Sequence, residues 1–131
     1  PFIRERYPLL ADAAHVIADP LVRNRATVGG NLAHADPAND HPAAMLAFGA
    51  EIHAHGPRGA RVIPIDDFFT GMFSTSLEPD ELLTEIRIPR PGPHTGGAYL
   101  KVERKVGDYA ISAVAVQLTM SGGVCQAIRI G

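Results

Sequence analysis

The stretch "NRATVGGNLAHADPAND", residues 24–40, gathers the residue types with most chemistry to offer. Gly29 and Gly30 permit positive φ and let the backbone approach a ligand with no Cβ in the way. Consecutive N–H groups, from Thr27 through Val28, Gly29 and Gly30 to Asn31, can then point into one concavity. Such a nest holds an anion without any lysine or arginine. Thr27 and Asn31 add side-chain donors at its rim, and a pyrophosphate is the natural guest. The acids that follow, Asp36 and Asp40, would repel a phosphate that they faced. As acceptor-only groups they suit ribose or ribityl hydroxyls instead. A donor nest followed by hydroxyl acceptors is the layout expected for a dinucleotide cofactor. Asp40 keeps a second reading as a plain helix cap.

Other chemistries fit less well. There is no G-x-G-x-x-G after a strand and no Walker lysine. His34 and His41 stand beside the two acids, but H-A-D and D-H spacings in a proline-broken loop match no standard metal site. No metal is expected. No general acid or base stands out, so no catalytic residue is assigned.

The elements that must position this loop are legible from periodicity. Residues 7–18, "YPLLADAAHVIA", carry apolar residues at helical spacing, with Pro8 in the first turn and Asp19-Pro20 as the stop. Residues 20–40 read mostly as loop, with a short turn at "LVRN". A second helix runs from Pro37 or Asp40 to Phe48, capped by Asn39 or Asp40 and closed by Gly49. The period then changes to two. "AEIHAHG" and "ARVIPI" flank the turn "PRG" as a hairpin, and "DDFFTGMF" is a short turn-like element with aromatic anchors. "DELLTEIRIP", "AYLKVERK", "AISAVAVQLTM" and "VCQAIRI" read as strands, the last two joined by Gly122-Gly123. The expected class is α+β: two early helices, then a mostly antiparallel sheet of about five strands.

The totals bound the partners. The 131 residues make one domain with a core, and 46% apolar content is ordinary for a globular chain. A net charge of −2 argues against a nucleic-acid footprint. Arg4, Arg6, Arg23 and Arg25 read as solvated surface. No apolar run reaches the roughly 18 residues of a membrane span. No signal-peptide layout appears at the N-terminus. The single Cys125, in an alternating apolar run, reads as a buried structural thiol and fits a reducing, cytoplasmic location. The chain begins at Pro1 and ends on a hydrophobic run, which reads as a piece of a longer polypeptide.

"RNRATVGGNLAHADPANDHPA" resembles the flavin loop of the FAD-binding medium subunit of the molybdenum hydroxylases. That family includes the carbon monoxide dehydrogenase medium chain and the FAD domain of xanthine dehydrogenase. "ELLTEIRIP" (81–89) and "AYLKVERKVGDYAISAVAV" (98–116) resemble two further family segments in the same order. The resemblance implies the second flavin-binding subdomain of a vanillyl-alcohol-oxidase/PCMH-type FAD-binding domain, present here as one partial domain over residues 1–131. It implies that Thr27, Val28, Gly29, Gly30 and Asn31 meet the FAD phosphates, with His34 near the flavin. Asp40 would bond the sugar-alcohol part of the cofactor. Leu83 would touch the flavin from a strand, Lys101 would sit near the ring or its carbonyls, and Tyr109 would pack near the isoalloxazine. For Lys101, Leu83 and Tyr109 the residues alone read as a solvated strand position, a core position and a turn-anchored aromatic. The implied activity is electron transfer from [2Fe–2S] clusters in a small subunit through FAD to an external acceptor, in a complex whose large subunit holds molybdopterin. Family members are about twice this length, with a first glycine loop that this chain lacks. The isolated chain is therefore expected to bind FAD weakly and to self-associate through its exposed faces. A non-catalytic remnant or assembly module that retains no flavin is the competing reading.

Overall fold

The structure is a computed structural model that describes residues 2–131. A short helix α1 (Phe2–Arg6) leads into α2 (Pro8–Val16), which has Pro8 in its first turn as expected and buries Leu9 and Ala13. The segment expected to be loop is half helical. Asp19 accepts from the N–H groups of Leu21 and Val22 and so caps α3 (Pro20–Arg23). Thr27 caps α4 (Val28–His34), which contains the glycine pair. A threonine followed by small residues is enough to start a helical turn, and periodicity is silent over so short a span.

Helix α5 (Asp40–Phe48) follows, closed by Gly49 in the left-handed region at φ 63°. It buries Asp40, His41, Ala44, Met45, Ala47 and Phe48. An apolar helix with no polar face belongs between two layers. Met45 joins Leu32, Ile52, Ile63, Ile65 and Phe68 in one core, while Ala44, Ala47 and Phe48 join Leu9, Ala13, Tyr99 and Ala115 in another.

The strands are all antiparallel, as the class predicted, but they do not form one sheet of about five. The first sheet has the order β2-β1-β5, from β1 (Glu51–Gly56), β2 (Gly59–Pro64) and β5 (Leu82–Arg87). A two-stranded ribbon joins β3 (Phe69–Gly71) to β4 (Ser74–Thr75). The second sheet has the order β6-β7-β8, from β6 (Thr95–Glu103), β7 (Ala110–Ser121) and β8 (Val124–Ile130). A proline-rich stretch, residues 88–94, connects β5 of the first sheet to β6 of the second. Arg129 on β8 ties the layers together, donating to the Leu46 carbonyl at 2.9 Å and to Asp66 at 2.6 Å.

One expectation is overturned at β8. Cys125 is exposed, not a buried thiol. Every residue of β8 is exposed, so alternation there does not mark a half-buried face. The register places Leu100, Val114, Val116, Leu118, Ile128 and Ile130 on the sheet face turned away from the helices.

Candidate functional site

The glycine pair works by absence of side chain, not by positive φ. Neither Gly29 nor Gly30 is among the positive-φ residues. They form the first turn of α4, where Thr27 Oγ1 accepts from Gly30 N–H at 3.0 Å. A Cβ on Gly30 would lie 2.9 Å from that same hydroxyl oxygen, and a Cβ on Gly29 would lie 3.4 Å from Leu83 on β5. Asn31 N–H donates to the Thr27 carbonyl. Helical geometry leaves the N–H groups of Val28 and Gly29 without intrahelical acceptors. They are the donors left for an outside anion.

The two acids divide. Asp36 accepts from Ala38 N–H at 2.9 Å and so closes its own turn. It does not line the cavity described below, so it is not a hydroxyl acceptor there. Asp40 opens α5 and is 6% exposed. It does not cap that helix from outside. Asn39 holds the N-cap position, and its side-chain amide instead donates to the Asn31 carbonyl at 3.2 Å, tying α5 to α4.

Asp40 is gripped from the second sheet. Tyr99 on β6 donates to Oδ1 at 2.6 Å, and the Lys101 ammonium lies 3.2 Å from the carboxylate. The ammonium also reaches Glu103 at 3.2 Å and donates to the Val16 carbonyl at 3.2 Å. Burial, then the bond to Asp40, pushes the Tyr99 phenol well above its ordinary pKa, so it stays a donor. Lys101 is therefore no solvated face residue. Its side chain is 2% exposed.

These elements surround a cavity of about 770 Å³ between the α2–α3 junction, α4, the start of α5 and the turn before β7. Of the residues singled out from the sequence, Thr27, Val28, Gly30, Asn31, His34, Asp40 and Tyr109 line it. Gly29, Leu83 and Lys101 stand behind the lining. Leu83 backs the glycine turn, and Lys101 backs Asp40. His34 lies 5.3 Å from the Phe73 ring, and Tyr109 is 61% exposed at the rim.

Among the lining residues not assigned to the cofactor from the sequence are His41, Gly107, Arg23 and Arg25. His41 follows Asp40 and is 8% exposed, with Nδ1 lacking a hydrogen-bond partner. Burial lowers its pKa below the usual 6.5, opposed by the nearby Asp40 charge. Gly107, at φ 84°, lets the turn before β7 pack against the backbone of Ala18; a Cβ there would meet Ala18 at 3.2 Å. "VGDY" carried that turn signal. Arg23 and Arg25, read as solvated surface, are exposed but border the cavity; Arg23 also donates to the carbonyls of Ala14 and Ile17 at 2.8 Å each, closing the end of α2.

The residues fit a dinucleotide. The cavity falls within the size range of small-molecule sites. Free N–H groups stand at one part of it and a carboxylate at another. Asn31 Oδ1 and His41 Nδ1 are buried polar atoms without protein partners in its walls, as a site shaped for a polar guest would leave.

Comparison with known proteins gives the family. Residues 1–91 match the family described as the FAD binding domain in molybdopterin dehydrogenase. The chain is 48% identical over 130 residues to the carbon monoxide dehydrogenase medium chain of Hydrogenophaga pseudoflava, covering 99% of this chain and 45% of that protein. It is 39% identical over 131 residues to the nicotine 6-hydroxylase medium subunit of Paenarthrobacter nicotinovorans, with the same coverages. A solved carbon monoxide dehydrogenase from Hydrogenophaga pseudoflava superposes with a TM-score of 0.95 at 50% identity, over 99% of this chain and 45% of that one. The chain thus spans about half the length of the curated relatives that it matches. Tyr99, Lys101 and Gly107–Tyr109 lie beyond the residues matched to the family, yet they complete or border the cavity. The match over residues 1–91 and the identity to these relatives show that this chain belongs to the family of FAD-binding domains of molybdopterin dehydrogenases.

Proposed function

We propose that the chain forms the FAD-holding part of an electron-transfer subunit in a molybdenum hydroxylase. The observation that carries this reading is one cavity that joins the donor end of α4 to the Asp40 carboxylate. Bound FAD would supply an electron carrier between [2Fe–2S] clusters of a small subunit and an external acceptor, in a complex whose large subunit holds the molybdopterin. The chain's own residues bind and orient. Val28, which lines the cavity, offers its N–H to the pyrophosphate, Gly29 backs it against Leu83, and Thr27 holds the turn that aims it. Asp40 accepts from the sugar-alcohol hydroxyls. His34 and Tyr109 flank the flavin end, Leu83 supports the glycine turn from β5, and Lys101 places positive charge behind Asp40. Nothing in this chain is asked to act on the substrate. Relatives named for carbon monoxide and for nicotine share this segment, so substrate choice is assigned to the large subunit. The partners, the cytoplasmic location and the single partial domain over 1–131 belong to the same reading.

Flavin fluorescence titration of the complete polypeptide that carries these residues tests it. Saturable FAD binding that is lost in Asp40→Ala is the expected result. Binding unaffected by that substitution overturns the assignment of the cavity.

A further inference from the structure

Asp40 sits on α5, yet its carboxylate is held from β6. Tyr99 Oη donates to Oδ1 at 2.6 Å, and Lys101 Nζ lies 3.2 Å from the carboxylate. The two partners do different work. An ammonium is a compact charge that attracts a carboxylate in many orientations. A short hydroxyl bond to one oxygen is directional and fixes the carboxylate plane. Tyr99 is 5% exposed and does not line the cavity, so it touches no guest there. A carboxylate offers about four acceptor directions. Tyr99 and Lys101 occupy those facing β6 and leave the remainder for the cavity.

We propose that Tyr99 is a positioning residue: its hydroxyl orients Asp40 toward the cofactor, so that the second sheet sets the affinity of a site lined mainly by the helices. This rests on the FAD reading given above. It assigns to Tyr99 an effect that must pass through Asp40.

The test is a double-mutant cycle in the complete polypeptide, reading the FAD dissociation constant by fluorescence titration. Tyr99→Phe keeps the ring and removes only the hydroxyl. It is expected to weaken FAD binding about ten-fold, the scale of a hydrogen bond to a charged group. In an Asp40→Ala background, which itself weakens binding and leaves no side-chain acceptor for the phenol, the same change is expected to add nothing. Equal losses in both backgrounds mean that Tyr99 acts through packing and overturn the proposal, as does no loss in the parent. Melting temperatures of the flavin-free proteins show whether each variant is folded. If Tyr99→Phe is not folded, 4-aminophenylalanine at position 99 replaces it, since its amine keeps the shape but donates more weakly. It must then weaken FAD binding in the parent and not in Asp40→Ala. If Asp40→Ala leaves FAD binding unchanged, the FAD reading fails and this proposal with it. If Asp40→Ala weakens binding and the position-99 changes do not, this proposal alone fails.

Discussion

Gly30 shows how one missing methyl group separates stability from binding. A Cβ there would stand 2.9 Å from Thr27 Oγ1, so the hydroxyl must turn away and release the Gly30 N–H. Losing the cap costs about 1 kcal/mol. Replacing glycine by alanine in a helix returns about as much. Gly30→Ala is therefore expected to leave the denaturation midpoint nearly unchanged while FAD retention falls, because the close approach to the first turn is blocked. A large drop in stability with retention intact would contradict this account. His41 gives the pH prediction. Burial lowers its folded-state pKa, so the unfolded chain takes up a proton first as pH falls below 6.5. Protons then favour unfolding, and stability should decline from that point until the folded-state pKa is reached. Denaturant titrations across this range should show the slope, and His41→Leu should flatten it.

At the scale of elements, two short pieces aim the site. Helix α4 has seven residues and little packing of its own, with Leu32 its only buried residue. Its N-terminal cap therefore matters more than in a long helix. Thr27→Ala should lower stability by about 1 kcal/mol in denaturant unfolding, and Thr27→Ser should restore it. The turn before β7 is the second piece. Gly107 sits at φ 84°, and a Cβ there would lie within 3.3 Å of the Ala18 and Asp19 backbone. Gly107→Val meets both a forbidden backbone region and a backbone neighbour that cannot rotate away. It should displace Tyr109 from the rim. Protease sensitivity rising at residues 105–109, with the rest of the chain protected, would show this.

At the scale of the molecule, the buried charge cluster joins α5 and the end of α2 to the second sheet. Lys101, Asp40 and Glu103 have side chains 2%, 8% and 18% exposed. Lys101→Met keeps much of the volume but leaves two carboxylates close together with no cation between them. Breaking such a buried set costs about 3–5 kcal/mol. Denaturant unfolding should register that loss. Lys101→Met with Asp40→Asn should recover part of it, because one of the stranded charges is then gone. Full stability in Lys101→Met would show that the cluster contributes little to holding the layers together.

The sequence alone determined the antiparallel α+β class, both longer helices, the hairpin around Pro57 and the stretch on which the site is built. These features rest on local rules: periods of 3.6 and 2, proline and glycine punctuation, and a threonine or acid ahead of small residues. The resemblance carried by three separated motifs then pointed to the family. What only the tertiary structure decided depends on neighbours distant in sequence. The strands fall into two sheets, β2-β1-β5 and β6-β7-β8, a pairing that local periodicity does not specify. Gly29 packs against Leu83 of β5, far along the chain. Asp36 serves its own turn while Asp40 enters the cavity. Lys101 turned out to be buried because two carboxylates and a carbonyl surround it, and an alternating strand pattern cannot reveal what lies across from it. Tyr99 stayed hidden for the same reason: its partner is 59 residues away, and only folding brings the phenol to the carboxylate.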